Sequence, residues 1–255
     1  MAETSVLARL RPLLFLAVLL LAWEIGAPLL GIPGYVLPLP SAIAARFAET
    51  ASLQLHGLFM TGMTTLVGLV LALVFGVLLA LVVVYVPMLR SIVMPLLAAF
   101  NSIPKIAVAP LFVIWFGLGV ESKIILAFLL ALFPIFVNSL TGLGEIEADV
   151  IDLSTLAGGT RWRIFTKVRL MNAVPYITDA LKVAFPLALV GSIVGEFIGG
   201  NSGIGHLILF GQFNMDTPLV FAALVSITVF TTLGIGAVSL FERMALTWRP
   251  SQRRR

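Results

Sequence analysis

Residues 58–86 contain no charged side chain, and residues 124–143 repeat the pattern further along the chain. A helix crosses the hydrocarbon of a bilayer in about 20 apolar residues. No water-soluble domain of this size has an interior that could hide several such blocks. Across the 255 residues, 60% are hydrophobic and 11% charged, where a soluble domain carries about 25% charged. The chain therefore reads as an all-α integral membrane protein. Soluble enzymes, nucleic-acid-binding domains and disordered linkers are excluded. An outer-membrane barrel is excluded as well, because its strands alternate polar and apolar residues and these blocks are unbroken.

Six segments are apolar enough to span: roughly 12–30, 58–86, 92–116, 124–143, 174–198 and 218–241. Arg9 and Arg11 precede the first of them, as in a signal peptide. Trp23, Glu24 and two prolines follow its opening apolar run where small cleavage-site residues would stand, so it reads as a retained helix. No shift in composition marks a second domain, and 1–255 reads as one transmembrane domain. With six spans, Arg9, Arg11, Arg90, Arg161, Arg163, Lys167, Arg169, Arg243, Arg249, Arg253, Arg254 and Arg255 share the side of the termini, and only Arg46 and Lys123 face the other. Basic residues accumulate in the cytoplasm, so both termini are expected there. The net charge of +4 is then an orientation signal, with the terminal arginines on anionic lipid and no nucleic acid involved. Loops 31–57 and 199–217 fall outside. The apolar stretch 204–213 is too short to cross and is expected to be re-entrant or interfacial.

Chemistry is sparse. There are no cysteines, and the two histidines, His56 and His206, stand far apart in the sequence. That leaves no metal centre or thiol nucleophile. The sequence lacks the G-x-x-x-x-G-K-[ST] phosphate loop, H-E-x-x-H and G-x-S-x-G, so it offers neither a nucleotide cradle nor a hydrolase site.

The one large cytoplasmic loop, about 144–173, carries the pattern that matters. Val150, Leu153, Leu156 and Ala157 recur at helical spacing behind Glu145, Glu147 and Asp149, acids being favoured at a helix start. Gly158-Gly159 permits a sharp reversal. Trp162, Phe165, Val168 and Arg169 then share one face of a second helix. Such a hairpin suits either docking into a groove on a cytoplasmic partner or lying among lipid headgroups.

Asp152-Leu153-Ser154, then Gly158, Thr160-Arg161-Trp162 and Val168-x-Leu170, resemble the E-A-A…G…I-x-L-P motif of ATP-binding-cassette importer permeases. Asp stands for Glu, Leu-Ser for Ala-Ala, and Met171 for the proline. Further resemblance covers most of the chain: Trp23-Glu24, Leu37-Pro38-Leu39-Pro40-Ser41, Ser102-Ile103-Pro104-Lys105-Ile106-Ala107, Phe133-Pro134-Ile135-Phe136-Val137-Asn138, Gly195-Glu196-Phe197-Ile198-Gly199 and Ser202-Gly203-Ile204-Gly205. Together these are similar to the permeases of nitrate, sulfonate, taurine and bicarbonate importers.

The resemblance implies a type I importer (MetI-like) permease fold in the bacterial inner membrane, usually as a homodimer. It implies two cytoplasmic ATPase subunits that bind ATP and Mg, no cofactor in this chain, and an extracytoplasmic solute-binding protein that delivers a small, anionic solute. Asp152, Leu153, Ser154, Leu156, Gly158, Gly159, Thr160, Arg161 and Trp162 would form the coupling segment. Pro175 would replace the proline missing at 171.

Charges inside spans are costly and mark function by default. Lys105, beside Pro104 in a third span expected to be kinked by Pro104 and Pro110, would either attract an anion along the pathway or pair with Glu24 or Glu196. Glu196 would belong to an outer gate or be an interfacial carboxylate. Asn101 and Asn138 would line the pathway or bond between helices. Asp179 and Lys182 would pair with each other or hold the loop to the bundle. The alternative to an ATP-driven permease is a self-sufficient secondary transporter or channel, which would call for inverted repeats; no convincing internal repeat is present.

Overall fold

Residues 3–246 are described by a computed structural model, with backbone alone for residues 3–10, 13, 87 and 245. Arg249 and Arg253 to Arg255 lie outside the described residues. Every regular element among those described is helical: α1 (Glu3–Leu29), α2 (Pro40–Glu49), α3 (Ala51–Tyr85), α4 (Pro87–Ser102), α5 (Lys105–Phe116), α6 (Val120–Gly144), α7 (Ala148–Leu156), α8 (Arg161–Ile164), α9 (Leu170–Gly199), α10 (Ile204–Phe213) and α11 (Thr217–Ala245). A π-helical turn, Phe165–Arg169, joins α8 to α9.

Four helices among the described residues are long and apolar enough to cross a membrane: Ala51–Tyr85, Val120–Gly144, Arg161–Gly199 and Thr217–Met244. The expected third span departs from a kinked rod. Its halves, Met88–Ser102 and Lys105–Phe116, meet at 93°. Pro104 has no N–H to donate and disfavours helical backbone in the residue before it. Ile103 is accordingly extended, at φ −69° and ψ 129°. The expected first span falls on α1, whose apolar stretch among the residues with described side chains is Leu14–Leu29. The expected loop 31–57 also differs, since α2 and the first turns of α3 occupy much of it. Pro40 starts α2 at a first-turn position where its missing N–H costs nothing.

α6 is the central helix, packed between α3 and α9. The contacts are made of small residues: Ala72 on α3, Ala127 and Ala131 on α6, and Ala180, Ala184 and Ala188 on α9, closed by Ile135 and Phe185. A methyl group added at Gly191 would lie 2.6 Å from the Leu126 carbonyl oxygen, and one at Gly68 would meet the Ala127 side chain. Backbones thus touch on both sides of Ala127, as small residues allow between membrane helices. The large apolar side chains of α1, α4 and the outward faces of α3 and α11, such as Phe15, Leu19, Phe75, Met88, Leu233 and Phe241, remain exposed, as a lipid-facing surface requires.

Long-range polar contacts gather the expected outer loops at one end of the bundle. Arg46 of α2 reaches Asp216, its Nε and Nη2 donating to Oδ2 at 2.9 and 2.5 Å. The Thr217 hydroxyl donates to the Tyr35 carbonyl at 2.7 Å, and Lys123 donates to the Ser202 carbonyl at 3.0 Å. Asp216 also caps α11 by accepting from the Leu219 amide at 3.1 Å. Its contact, with that of Glu49, holds the Arg46 guanidinium above its ordinary range.

Candidate coupling hairpin and translocation elements

The hairpin at 148–169 is built by its turn. α7 ends with Gly158 at φ +81°, where an L side chain is strained. The Gly158 amide donates to Thr155 O at 3.0 Å and the Gly159 amide to Ser154 O at 2.9 Å. That pair of bonds is the Schellman termination. Thr160 restarts the helix by accepting from the Arg163 amide at 3.3 Å. Gly159 has no room for a side chain, because an added methyl would lie 2.6 Å from Ser154 O.

The face this turn presents is apolar and open. Leu153 is 69% exposed, Leu156 86% and Trp162 71%, beside the exposed Asp152, Thr160 and Arg161 and the half-buried Ser154. The Trp162 and Phe165 rings meet at a tilt with centroids 5.6 Å apart, and Phe165 reaches Tyr85 of α3 at 6.3 Å. The hairpin root is tied to α6: Arg169 donates to Leu143 O and Asn172 to Gly142 O, each at 2.8 Å. Carbonyls at a helix C-terminus lack intrahelical partners and favour a cation, so these two side chains complete α6. A basic residue on the otherwise apolar face of Trp162, Phe165 and Val168 was the available sign of this role. Pro175 does not stand in for a proline at 171, because the chain runs through 171 as unbroken helix and Pro175 is buried inside α9.

Lys105 begins α5 just past the break and is half-buried. Its ammonium donates to Asn101 Oδ1 at 2.5 Å, and among the described residues it forms no ion pair. The expected pairing with Glu24 or Glu196 is therefore replaced by a bond across the elbow. Both carboxylates are engaged elsewhere. Glu24 of α1 accepts from the Ser41 amide and hydroxyl at 3.0 and 2.6 Å, supplying α2 with the N-terminal cap its own residues lack. Asn138 donates to Pro134 O at 2.8 Å on its own helix, in place of the bond between helices that was one of its two expected roles. Proline has no N–H to donate to the carbonyl of the preceding turn, and Pro110, inside α5, leaves that of Ile106 without its helical donor.

Glu196 is buried, with 1% of its surface exposed. Oε1 accepts from Thr61 Oγ1 of α3, and Oε2 from the Gly205 amide of α10, both at 2.7 Å. Thr61 Oγ1 accepts in turn from the Ile204 amide at 2.9 Å. A carboxylate thus sits at the N-terminus of α10, where the helix dipole favours it. Gly203, at φ +110°, would press a Cβ into that carboxylate. Asp179 and Lys182 pair at 2.9 Å as expected, and Lys182 also binds Glu242 of α11 at 2.6 Å. Thr61 and Glu242 escaped the sequence reading, since nothing local marks a partner more than fifty residues away.

A small-residue helical core, a broken helix beside it and an exposed hairpin rooted in the central helix together describe an inner-membrane permease of the ATP-binding-cassette importers. The chain belongs to the family described as "Binding-protein-dependent transport system inner membrane component", whose model matches residues 68–245. It is 36% identical over 244 residues to the formylaminopyrimidine transport permease protein ThiX of Halalkalibacterium halodurans, covering 95% of this chain and 97% of that one. It is 33% identical over 238 residues to the riboflavin transport system permease protein RibX of Chloroflexus aurantiacus, with coverage of 92% and 89%. The taurine transport system permease protein TauC of Escherichia coli is 26% identical over 240 residues, at 91% and 87%. An inward-facing structure of the MetNI methionine ABC transporter superposes with a TM-score of 0.66 at 23% identity, covering 77% of this chain and 98% of that one; this likeness concerns the fold.

Proposed function

We propose that two copies of this chain form the membrane channel of the importer, each docking one separate ATPase subunit through the hairpin at Gly158. ATP and Mg belong to those subunits, and the chain itself carries no cofactor. An extracytoplasmic binding protein delivers the solute. In this reading the chain is one domain with six spans and cytoplasmic termini, the broken α4–α5 pair counting as the third span and α1 as the first.

The observation that carries the reading is the exposure of Leu153, Leu156 and Trp162 around a rigid Schellman turn. Apolar side chains held this far from the bundle on a fixed turn fit a protein groove. The test is Leu156→Asp in the assembled transporter. The ATPase subunits should no longer co-purify and ATP-driven uptake should stop, while the permease itself remains folded. Uptake that continues without the ATPase subunits would instead identify a secondary transporter.

For the solute, Lys105 at the elbow supports a small anion. It brings a positive charge to the first turn of α5, where helix N–H groups also favour negative charge, and Asn101 and Asn138 are the further candidates for the pathway. Taurine, in the name of one relative, is a sulfonate. The names of ThiX and RibX favour a second reading, an uncharged nitrogen heterocycle. Mass spectrometry of the ligand held by the native binding protein separates the two.

A further inference from the structure

The second limb of the hairpin and α9 form a single helix, Arg161–Gly199, of 39 residues, which at 1.5 Å per residue is about 58 Å long. The coupling turn is at one end of this rod and Glu196 at the other. Glu196 is also where the segment after the rod is fastened. The Ile204 and Gly205 amides reach it directly or through Thr61, and Lys123 of α6 holds Ser202 beside it. Gly200, Gly203 and Gly205 each bring backbone against Glu196, and an added Cβ at any of them would collide with it. Both carboxyl oxygens accept here, which a side-chain amide, with a single oxygen, could not do.

We propose that Glu196 is a positioning residue that locks α10 to the far end of the coupling helix, so that α10 moves as one body with the hairpin. Movement imposed by the ATPase at Gly158 is then delivered across the membrane to α10 and to the exposed Phe210, Phe213 and Met215 that follow its course. This inference rests on the coupling role proposed for the hairpin. It assigns the other end of the same lever.

The absence of cysteines makes the test direct. Spin labels at Lys167→Cys and Gln212→Cys, both exposed, report the distance between hairpin root and α10. The measurement uses the complete transporter with its ATPase subunits and binding protein, labelled permease being diluted with unlabelled. The expected distance distribution is the same with and without ATP. Thr61→Val, which keeps the shape but removes the hydroxyl, should broaden that distribution and lower uptake by about tenfold, the scale of one buried polar group left unpaired. Thr61→Ser should restore both. A distance that changes between nucleotide states in the unaltered protein overturns the proposal, and so does a native distribution in Thr61→Val. If Thr61→Val does not assemble, the unaltered protein decides alone. Failure of the coupling role shows separately, as uptake that persists without the ATPase subunits.

Discussion

Glu24 and Ser41 form one polar joint between α1 and α2: the Ser41 hydroxyl and amide occupy both carboxylate oxygens, at 2.6 and 3.0 Å. Two sequence strings that look unrelated, Trp23-Glu24 and Leu37-Pro38-Leu39-Pro40-Ser41, are therefore the halves of a single contact. The prolines set the approach, Pro40 begins the helix, and the glutamate arrives from another helix to satisfy its first amide, that of Ser41. Trp23 adds an edge-on contact with Phe221 of α11 at 6.0 Å.

Gly158→Ala should weaken coupling more than it weakens folding. A left-handed backbone costs a non-glycine residue roughly 1–2 kcal/mol, and here the strain falls on an exposed turn. Uptake should fall while the melting temperature of the purified permease hardly changes. Gly158→Asn should retain more activity than Gly158→Ala, since asparagine also serves at such helix ends. Equal uptake in all three proteins would contradict the role of the turn.

Gly191→Ala should destabilise the protein by about 1–3 kcal/mol, the usual range for overpacking, because its new methyl would lie 2.6 Å from Leu126 O and 2.7 Å from the Ala127 amide. Gly26→Ala has nothing within 4 Å and should be tolerated. Thermal unfolding in detergent compares the two directly.

Lys105→Ala should lower uptake of an anionic solute by about tenfold, the equivalent of about 1.4 kcal/mol, with a rise in KM. Lys105→Arg should preserve most of it. If uptake is normal and solute preference unchanged in Lys105→Ala, the lysine serves the elbow through Asn101 alone.

Arg46→Gln should cost less than about 1 kcal/mol, and the loss should vanish in high salt, as for exposed ion pairs generally. Asp216 and then Glu49 raise the Arg46 pKa above an already basic value. A raised pKa contributes stability that is complete at lower pH and is lost as pH rises through the folded value. The guanidinium therefore introduces no stability change across neutral pH. Chemical denaturation at two salt concentrations and at several neutral pH values checks both statements.

Much of the bundle was legible because the bilayer imposes long apolar blocks: 124–143, 174–198 and 218–241 lie within single helices, and 58–86 does so up to Tyr85. The hairpin was legible because Gly158-Gly159 is a local signal. Pro104 announced a disturbance, but the angle depends on what each half packs against, and a right-angled elbow replaced the expected kink. The charges were least legible. Lys105, Glu196 and Lys182 find partners according to how the helices are arranged, and sequence spacing identified only Asp179 correctly. Helix α2 was signalled by Pro40 at a favoured first position, within a stretch read as a loop.

The contact of Gly68 and Gly191 with either side of Ala127 limits how the protein can deform. Where backbones touch, no flexible side chains lie between them to absorb a slide, so α3, α6 and α9 resist shear against one another. A pull on the hairpin, or a thinner bilayer, is then met by tilting the three helices together as a slab, with the elbow at Ile103 and Pro104 left to take up the angle.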